Sequence, residues 1–199
     1  MLVAVLDVPR APADWPQAAS RCAPWVDVFI LRAKTQPAAT QRGLAARLVE
    51  AVGGRPVLVA DRLDVAMALG VAGVHLPGDG LAPSDARRLW PSGVVSRAVH
   101  SVEDVDSAAG ADWLVFGHLF PTRSKPGVNP RGLDLAAQVV RQSPVPVVGI
   151  GGVDPTRVAA VCDAGLAGVA VVDALWLAPD PAGAARELAA PWATHGGGT

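Results

Sequence analysis

Eight short apolar runs recur along the chain, several of them apolar at nearly every position, as in Val145-Pro146-Val147-Val148-Gly149-Ile150. A strand with one wet face alternates apolar and polar residues. A strand apolar throughout has to be covered on both faces, as in a parallel sheet flanked by helices. The runs are Leu2–Leu6, Val26–Leu31, Pro56–Val59, Gly73–Leu76, Val94–Val99, Trp113–Phe116, Val145–Ile150 and Gly168–Val172. Between them, alanine-, leucine- and arginine-rich stretches predict helices at Trp15–Arg21, Ala38–Val52, Leu63–Leu69, Ser84–Trp90, Val102–Ala109, Leu133–Gln142, Pro155–Ala164 and Pro181–Ala189. Strand-then-helix repeated eight times predicts an α/β fold, a single-domain (β/α)8 TIM barrel over residues 1–190. At 199 residues the chain sits near the lower bound for that fold, so its loops must be short. The rival, an open doubly wound sheet, wants a glycine-rich turn after the first strand, and Asp7-Val8-Pro9-Arg10 offers none.

Local signals support the helices. Ser84, Ser101 and Asp154 are N-cap candidates, with Pro155 taking the position after Asp154 and Glu103-Asp104 the first turn after Ser101. Gly70 and Gly165 sit where a helix is expected to end. The repeated Ala72-Gly73-Val74 and Ala167-Gly168-Val169 place a small residue where a helix end turns directly into the next strand.

Composition removes whole classes of function. With 17 basic and 18 acidic side chains the formal net charge is −1, which argues against electrostatic binding of nucleic acid or acidic membranes. The apolar fraction of 51% excludes an intrinsically disordered chain. Cys22 and Cys162 stand far apart and fit neither a disulfide framework nor a zinc ribbon, and both read as packed side chains. No apolar run approaches the ~20 residues of a membrane helix, and the apolar start lacks the basic region of a signal peptide, so a cytoplasmic location is expected. The segment 191–199 is expected to be a disordered tail. A homo-oligomer is left open.

In a barrel the chemistry gathers where strands end. Those ends supply Arg32 and Lys34, Asp61 and Arg62, His75 and then Asp79, His100-Ser101, His118 with Thr122-Arg123-Ser124-Lys125, Gly151-Gly152, and Val172-Asp173. Gly151-Gly152, with the Val172-Asp173 turn, reads either as a backbone cradle for a phosphate or as a tight turn. Arg32, Lys34 and Lys125 suit an anion. His118 reads either as a proton-transfer residue or as a histidine that hydrogen-bonds a loop. Asp61 reads as a ligand, a base or a cap for the helix from Leu63. His75 and His100 follow branched residues and read as packed side chains.

Four segments, in order, resemble the thiamine phosphate synthase superfamily: Ile30-Leu31-Arg32-Ala33-Lys34; Ala60-Asp61-Arg62 through Gly73-Val74-His75-Leu76; Val99-His100-Ser101 with Phe116-Gly117-His118-Leu119-Phe120-Pro121-Thr122-Arg123-Ser124-Lys125-Pro126-Gly127; and Ile150-Gly151-Gly152-Val153 with Ala164-Gly165-Leu166-Ala167-Gly168-Val169. The resemblance covers nearly the whole chain and implies the same barrel. It also implies one of two activities. The synthase joins a pyrimidine diphosphate to a thiazole phosphate and needs magnesium. The TenI-like thiazole tautomerase moves protons to aromatise a thiazole carboxylate phosphate.

This chain departs from the usual synthase pattern. It has Ala60 where the synthase has Asn, Gly80 where it has a second magnesium carboxylate (Asp79 lies one position away), Ala98 for a Ser and His118 for a Pro. His118 resembles the tautomerase's proton-transfer residue. The resemblance therefore implies an isomerase, a thiazole tautomerase with His118 as the catalytic shuttle. Arg32, Lys34, Asp61, Thr122, Lys125, Gly151, Gly152, Val172 and Asp173 would bind the thiazole phosphate substrate. No cofactor and no metal are expected, and efficient synthase activity is not. The synthase is the alternative reading, and a non-catalytic binder of thiamine phosphates the second alternative.

Overall fold

The computed structural model describes residues 1–193. Eight parallel strands close into a barrel in sequence order: β1 (Leu2–Asp7), β2 (Val28–Arg32), β3 (Val57–Ala60), β4 (Gly73–Leu76), β5 (Val94–Val99), β6 (Trp113–Gly117), β7 (Val147–Ile150) and β8 (Gly168–Val171). β1 closes the ring by pairing with both β2 and β8. The fully apolar runs have the cause their pattern implies. Val3, Val5, Ile30, Leu58, Ala60, Trp113, Val115, Val148 and Ala170 fill the inside of the ring. Alternate residues such as Leu2, Ala4, Leu6, Phe29, Leu31, Leu114 and Phe116 pack outward under the helices. Water reaches neither face, so neither needs polar residues.

The helices are α1 (Trp15–Cys22), α2 (Ala38–Ala51), α3 (Leu63–Leu69), α4 (Pro83–Leu89), α5 (Gly132–Gln142), α6 (Val158–Asp163), α7 (Asp173–Trp176) and α8 (Pro181–Ala193). Three expectations need correcting. α4 begins one residue earlier, at Pro83, so Ser84 lies inside its first turn and does not cap it. After β5, residues Glu103–Ala108 form a 3-10 segment, with Ser101 and Asp104 bonding each other's backbone N–H groups as in a capping box. α6 begins only at Val158, because Asp154 turns its carboxylate onto the backbone N–H and hydroxyl of Thr156 and closes a tight turn first. α7 was not foreseen. It is four residues long, too short to show a helical period.

The glycines of the repeated Ala-Gly-Val are demanded by the neighbouring strand. A Cβ on Gly73 would stand 1.9 Å from the Val94 carbonyl oxygen, and one on Gly168 would stand 2.0 Å from that of Met1. α8 continues through Pro191 to Ala193, and Trp192 donates its indole N–H to the Leu166 carbonyl at 3.1 Å. The rest of the expected tail, 194–199 with His195, lies outside the described residues. No helix among the described residues is long and apolar enough to cross a membrane.

Candidate active site

At the carboxyl ends of the strands the barrel opens into a cavity of about 590 Å³. Its floor is apolar: Val5, Ile30, Ala60, Ala98, Val115 and Ala170. Its walls are polar, and most of the residues singled out from the strand ends line them: Arg32, Lys34, Asp61, His118, Lys125, Gly151 and Val172. Thr122, Gly152 and Asp173 line an adjoining recess of about 410 Å³, which shares Arg10, Arg123, Ser124, Gly151 and Val172 with the first. All ten expected site residues thus face one continuous depression.

The walls carry unequal charge. Arg32 is paired at 2.5 Å with the buried carboxylate of Asp7, its partner across the β1–β2 register. Arg10 is paired with Asp173. Lys34, Arg123 and Lys125 have no carboxylate partner among the described residues, so they leave net positive charge at the mouth. Arg10 and Asp7 were missed, although the search for polar residues just past a strand would have found both if it had been applied to β1.

The three histidines each have one nitrogen engaged. His75 Nδ1 lies 2.9 Å from the Ser96 hydroxyl, on the facing position of β5. Burial, helped by the nearby charges of Lys34, Arg32 and Arg97, lowers its pKa from 6.5 to about 4, so the ring is neutral at pH 7. His100 donates from Nδ1 to the Gly117 carbonyl at 2.8 Å. Both are satisfied as expected, yet both also form cavity wall. His118 donates from Nε2 to the Val128 carbonyl at 3.2 Å, and its Nδ1 is buried with no hydrogen-bond partner.

Asp61 does not cap α3, whose N-cap residue is Arg62. Its backbone sits at φ 66°, a left-handed conformation that costs a non-glycine residue about 1–3 kcal/mol. Its carboxylate lies against Gly80, where an added Cβ would stand 3.2 Å from Oδ1. Asp79 lines the same cavity. The loop that carries Asp79 is organised by Arg97, a buried residue unremarked in the sequence. Its guanidinium donates to the carbonyls of Gly78 at 2.7 Å and Leu81 at 2.8 Å.

Gly151 and Gly152, at φ 99° and 67°, have a steric cause. An added Cβ would meet His118 Cβ at 2.3 Å from Gly151 and the Pro121 carbonyl oxygen at 2.5 Å from Gly152. The segment after β6 is therefore seated on the turn after β7, and Leu119 and Phe120 donate to the carbonyls of Ile150 and Gly151. The chain leaves β8 directly into the four-residue α7 (Asp173–Trp176), where barrels often place a short extra helix.

Comparison with known proteins agrees with this geometry. The family described as "Thiamine monophosphate synthase" matches residues 7–175. The thiamine-phosphate synthase of Anaeromyxobacter dehalogenans is 42% identical over 165 residues, 80% of this chain and 74% of that protein. A bifunctional ThiM/ThiE protein of Symbiobacterium thermophilum is 42% identical over 163 residues, 79% of this chain, which spans only 34% of that longer protein. The solved thiamine phosphate pyrophosphorylase of Pyrococcus furiosus superposes with a TM-score of 0.83 at 27% identity, covering 94% of this chain and 92% of that one. The expectation of an isomerase is corrected by these likenesses. Relatives at about this identity over most of the chain carry the synthase's name, and the reading of His118 as a tautomerase's proton shuttle falls with that activity.

Proposed function

The chain belongs to the thiamine monophosphate synthase family, and from that premise we propose that it couples hydroxymethylpyrimidine diphosphate to thiazole phosphate, forming thiamine phosphate and releasing diphosphate. The observation that carries this reading is the 42% identity, over four-fifths of the chain, to a thiamine-phosphate synthase. The cavity supports it, since an apolar floor for a flat heterocycle lies beneath a cationic mouth.

In the coupling, the bond between the pyrimidine's methylene carbon and the diphosphate oxygen breaks, and its electron pair leaves with the diphosphate. The lone pair of the thiazole nitrogen makes the new carbon–nitrogen bond. That nitrogen carries no proton to remove, so the step calls for no general base. The chain must instead bind and stabilise the leaving anion. Lys34, Arg32 and Lys125 surround it as cations, with the hydroxyls of Thr122 and Ser124 beside them. The recess formed by Gly151, Gly152, Val172 and Asp173 takes the thiazole's phosphate. Holding the two substrates by their phosphates brings the reacting atoms together on the apolar floor.

The family's magnesium fits here in one form. Among the described residues no group of three His, Cys, Asp or Glu side chains can hold a metal unaided. Asp61 and Asp79 offer hard carboxylate oxygens in the same cavity. That donor set suits an ion held jointly by one or two carboxylates and the substrate's phosphates. Magnesium there would neutralise charge on the leaving diphosphate. Ala60 and Gly80 thin the family's usual set of ligands and leave these two.

Purified protein supplied with both substrates and magnesium should release diphosphate and thiamine phosphate in equal amounts, read by thiochrome fluorescence and a phosphate assay. K34A should raise KM for the pyrimidine diphosphate at least tenfold, the scale of losing a hydrogen-bonded charge. Absence of coupling by the folded parent protein would reject the reading.

A further inference from the structure

We propose that His118 is a positioning residue, whose imidazole fastens the loop carrying Thr122, Arg123, Ser124 and Lys125 over the cavity and so sets the affinity for diphosphate. The kinetic part of this inference rests on the coupling reading above; the structural part does not.

A carbonyl oxygen only accepts, so the bond to Val128 puts an imidazole hydrogen on Nε2. Nδ1 is sealed from solvent and from any partner, and the whole residue is 4% exposed. One nitrogen is engaged and the other is enclosed, which suits a fixed ring better than one that trades protons with a ligand. The surroundings fix the ring in place. Its Cβ packs on Gly151, and its own carbonyl accepts from the Arg131 N–H at 2.9 Å. The carbonyl of the preceding Gly117 accepts from Arg131 Nε at 3.0 Å and from His100 Nδ1 at 2.8 Å.

The loop it holds has little else to hold it. Its start is tied down by Leu119 and Phe120 on the turn after β7, and its end by Arg131. Between them, among the described residues, segment 122–130 bonds only within itself, through Thr122, Ser124, Lys125 and Val128, apart from the one bond to His118. Most of the segment is exposed, so the Val128 carbonyl finds water when released. Losing the imidazole bond therefore frees the loop without opening the barrel. Ordering the loop again on substrate binding then weakens affinity, by about fivefold if the bond is worth a typical ~1 kcal/mol.

The test uses the difference between the two amides. The amide nitrogen of glutamine reaches about as far as Nε2, whereas that of asparagine reaches only as far as Nδ1. H118N should speed tryptic cleavage of the exposed Arg123–Ser124 bond about fivefold and raise KM for the pyrimidine diphosphate by a similar factor. Its kcat should stay within about threefold of the parent, while H118Q restores most of both losses. Thermal unfolding of each variant checks that the barrel is intact. The proposal is overturned if both variants lose kcat with the loop as protease-resistant as in the parent, which marks a chemical role. It is equally overturned if H118N leaves loop and KM unchanged. Proteolysis needs no turnover, so a parent protein without coupling activity would sink the proposed function while this arm still decides for or against the fastening role.

Discussion

His75 shows how one residue's surroundings set a pH dependence for the whole protein. An unfolded histidine takes up a proton near pH 6.5, but in this fold it does so only near about 4, chiefly because of burial and secondarily because of Lys34, Arg32 and Arg97. Between those values the unfolded chain holds the extra proton, so acid favours unfolding. The stabilisation is complete above pH 6.5 and is lost as pH falls toward about 4, with at most ~3 kcal/mol at stake. Replacing His75 by Asn keeps a polar atom near Ser96 and removes the titration. The drop in unfolding free energy from about pH 7.5 to about pH 4.5 should be smaller in H75N than in the parent by denaturant titration. Equal drops would show that His75 does not carry it. The same dependence on surroundings applies to His118. A histidine just past a strand has the same sequence signature whether it moves a proton or holds a loop, and only its hydrogen-bond partners differ.

Among the elements, the connections after β6 and β7 act as one unit. Gly152 lies where the two touch, and a side chain there would press on backbone, which cannot swing aside. G152A should cost about 1–3 kcal/mol from strain and overpacking, and should also raise KM for the thiazole phosphate by displacing Thr122. G43A is the control. Gly43 lies inside α2 with nothing within 4 Å of an added Cβ, so alanine should add about 0.5–1 kcal/mol to stability through helix propensity. Thermal unfolding of the two variants in parallel reads both signs, and a neutral G152A would show that the contact yields easily. The sequence marked Gly151-Gly152 correctly as a special turn. It did not show that protein crowds that turn, because Phe120 and Pro121 are thirty residues away in the chain.

For the molecule as a whole, ring closure is the governing fact. β1 is hydrogen-bonded to β8, and α8 packs across α1, so the two ends of the chain support one core. A closed ring has no edge at which to open by parts. Leu58, inside the barrel on β3, and Leu188, on α8, are both fully buried. L58A and L188A should each cost about 2–5 kcal/mol, and each should move a single transition that coincides by circular dichroism and tryptophan fluorescence. Two separate transitions in L188A would mean that α8 melts on its own.

The sequence by itself determined the barrel, the order of its strands and most of the polar residues at its mouth. These are written in local terms: a run apolar at every position has to be covered on both sides, and a polar residue just past such a run emerges at its end. Tertiary structure decided what each of those residues is free to do. Asp173 meets Arg10 from 163 positions away, Asp7 meets Arg32 from 25, and His118 Nε2 is claimed by a loop that returns after ten residues. A side chain's charge, hydrogen-bonding capacity and access to a ligand depend on which atoms stand within a few ångströms of it. Neighbours of that kind come from distant parts of the chain, brought together only when the ring closes.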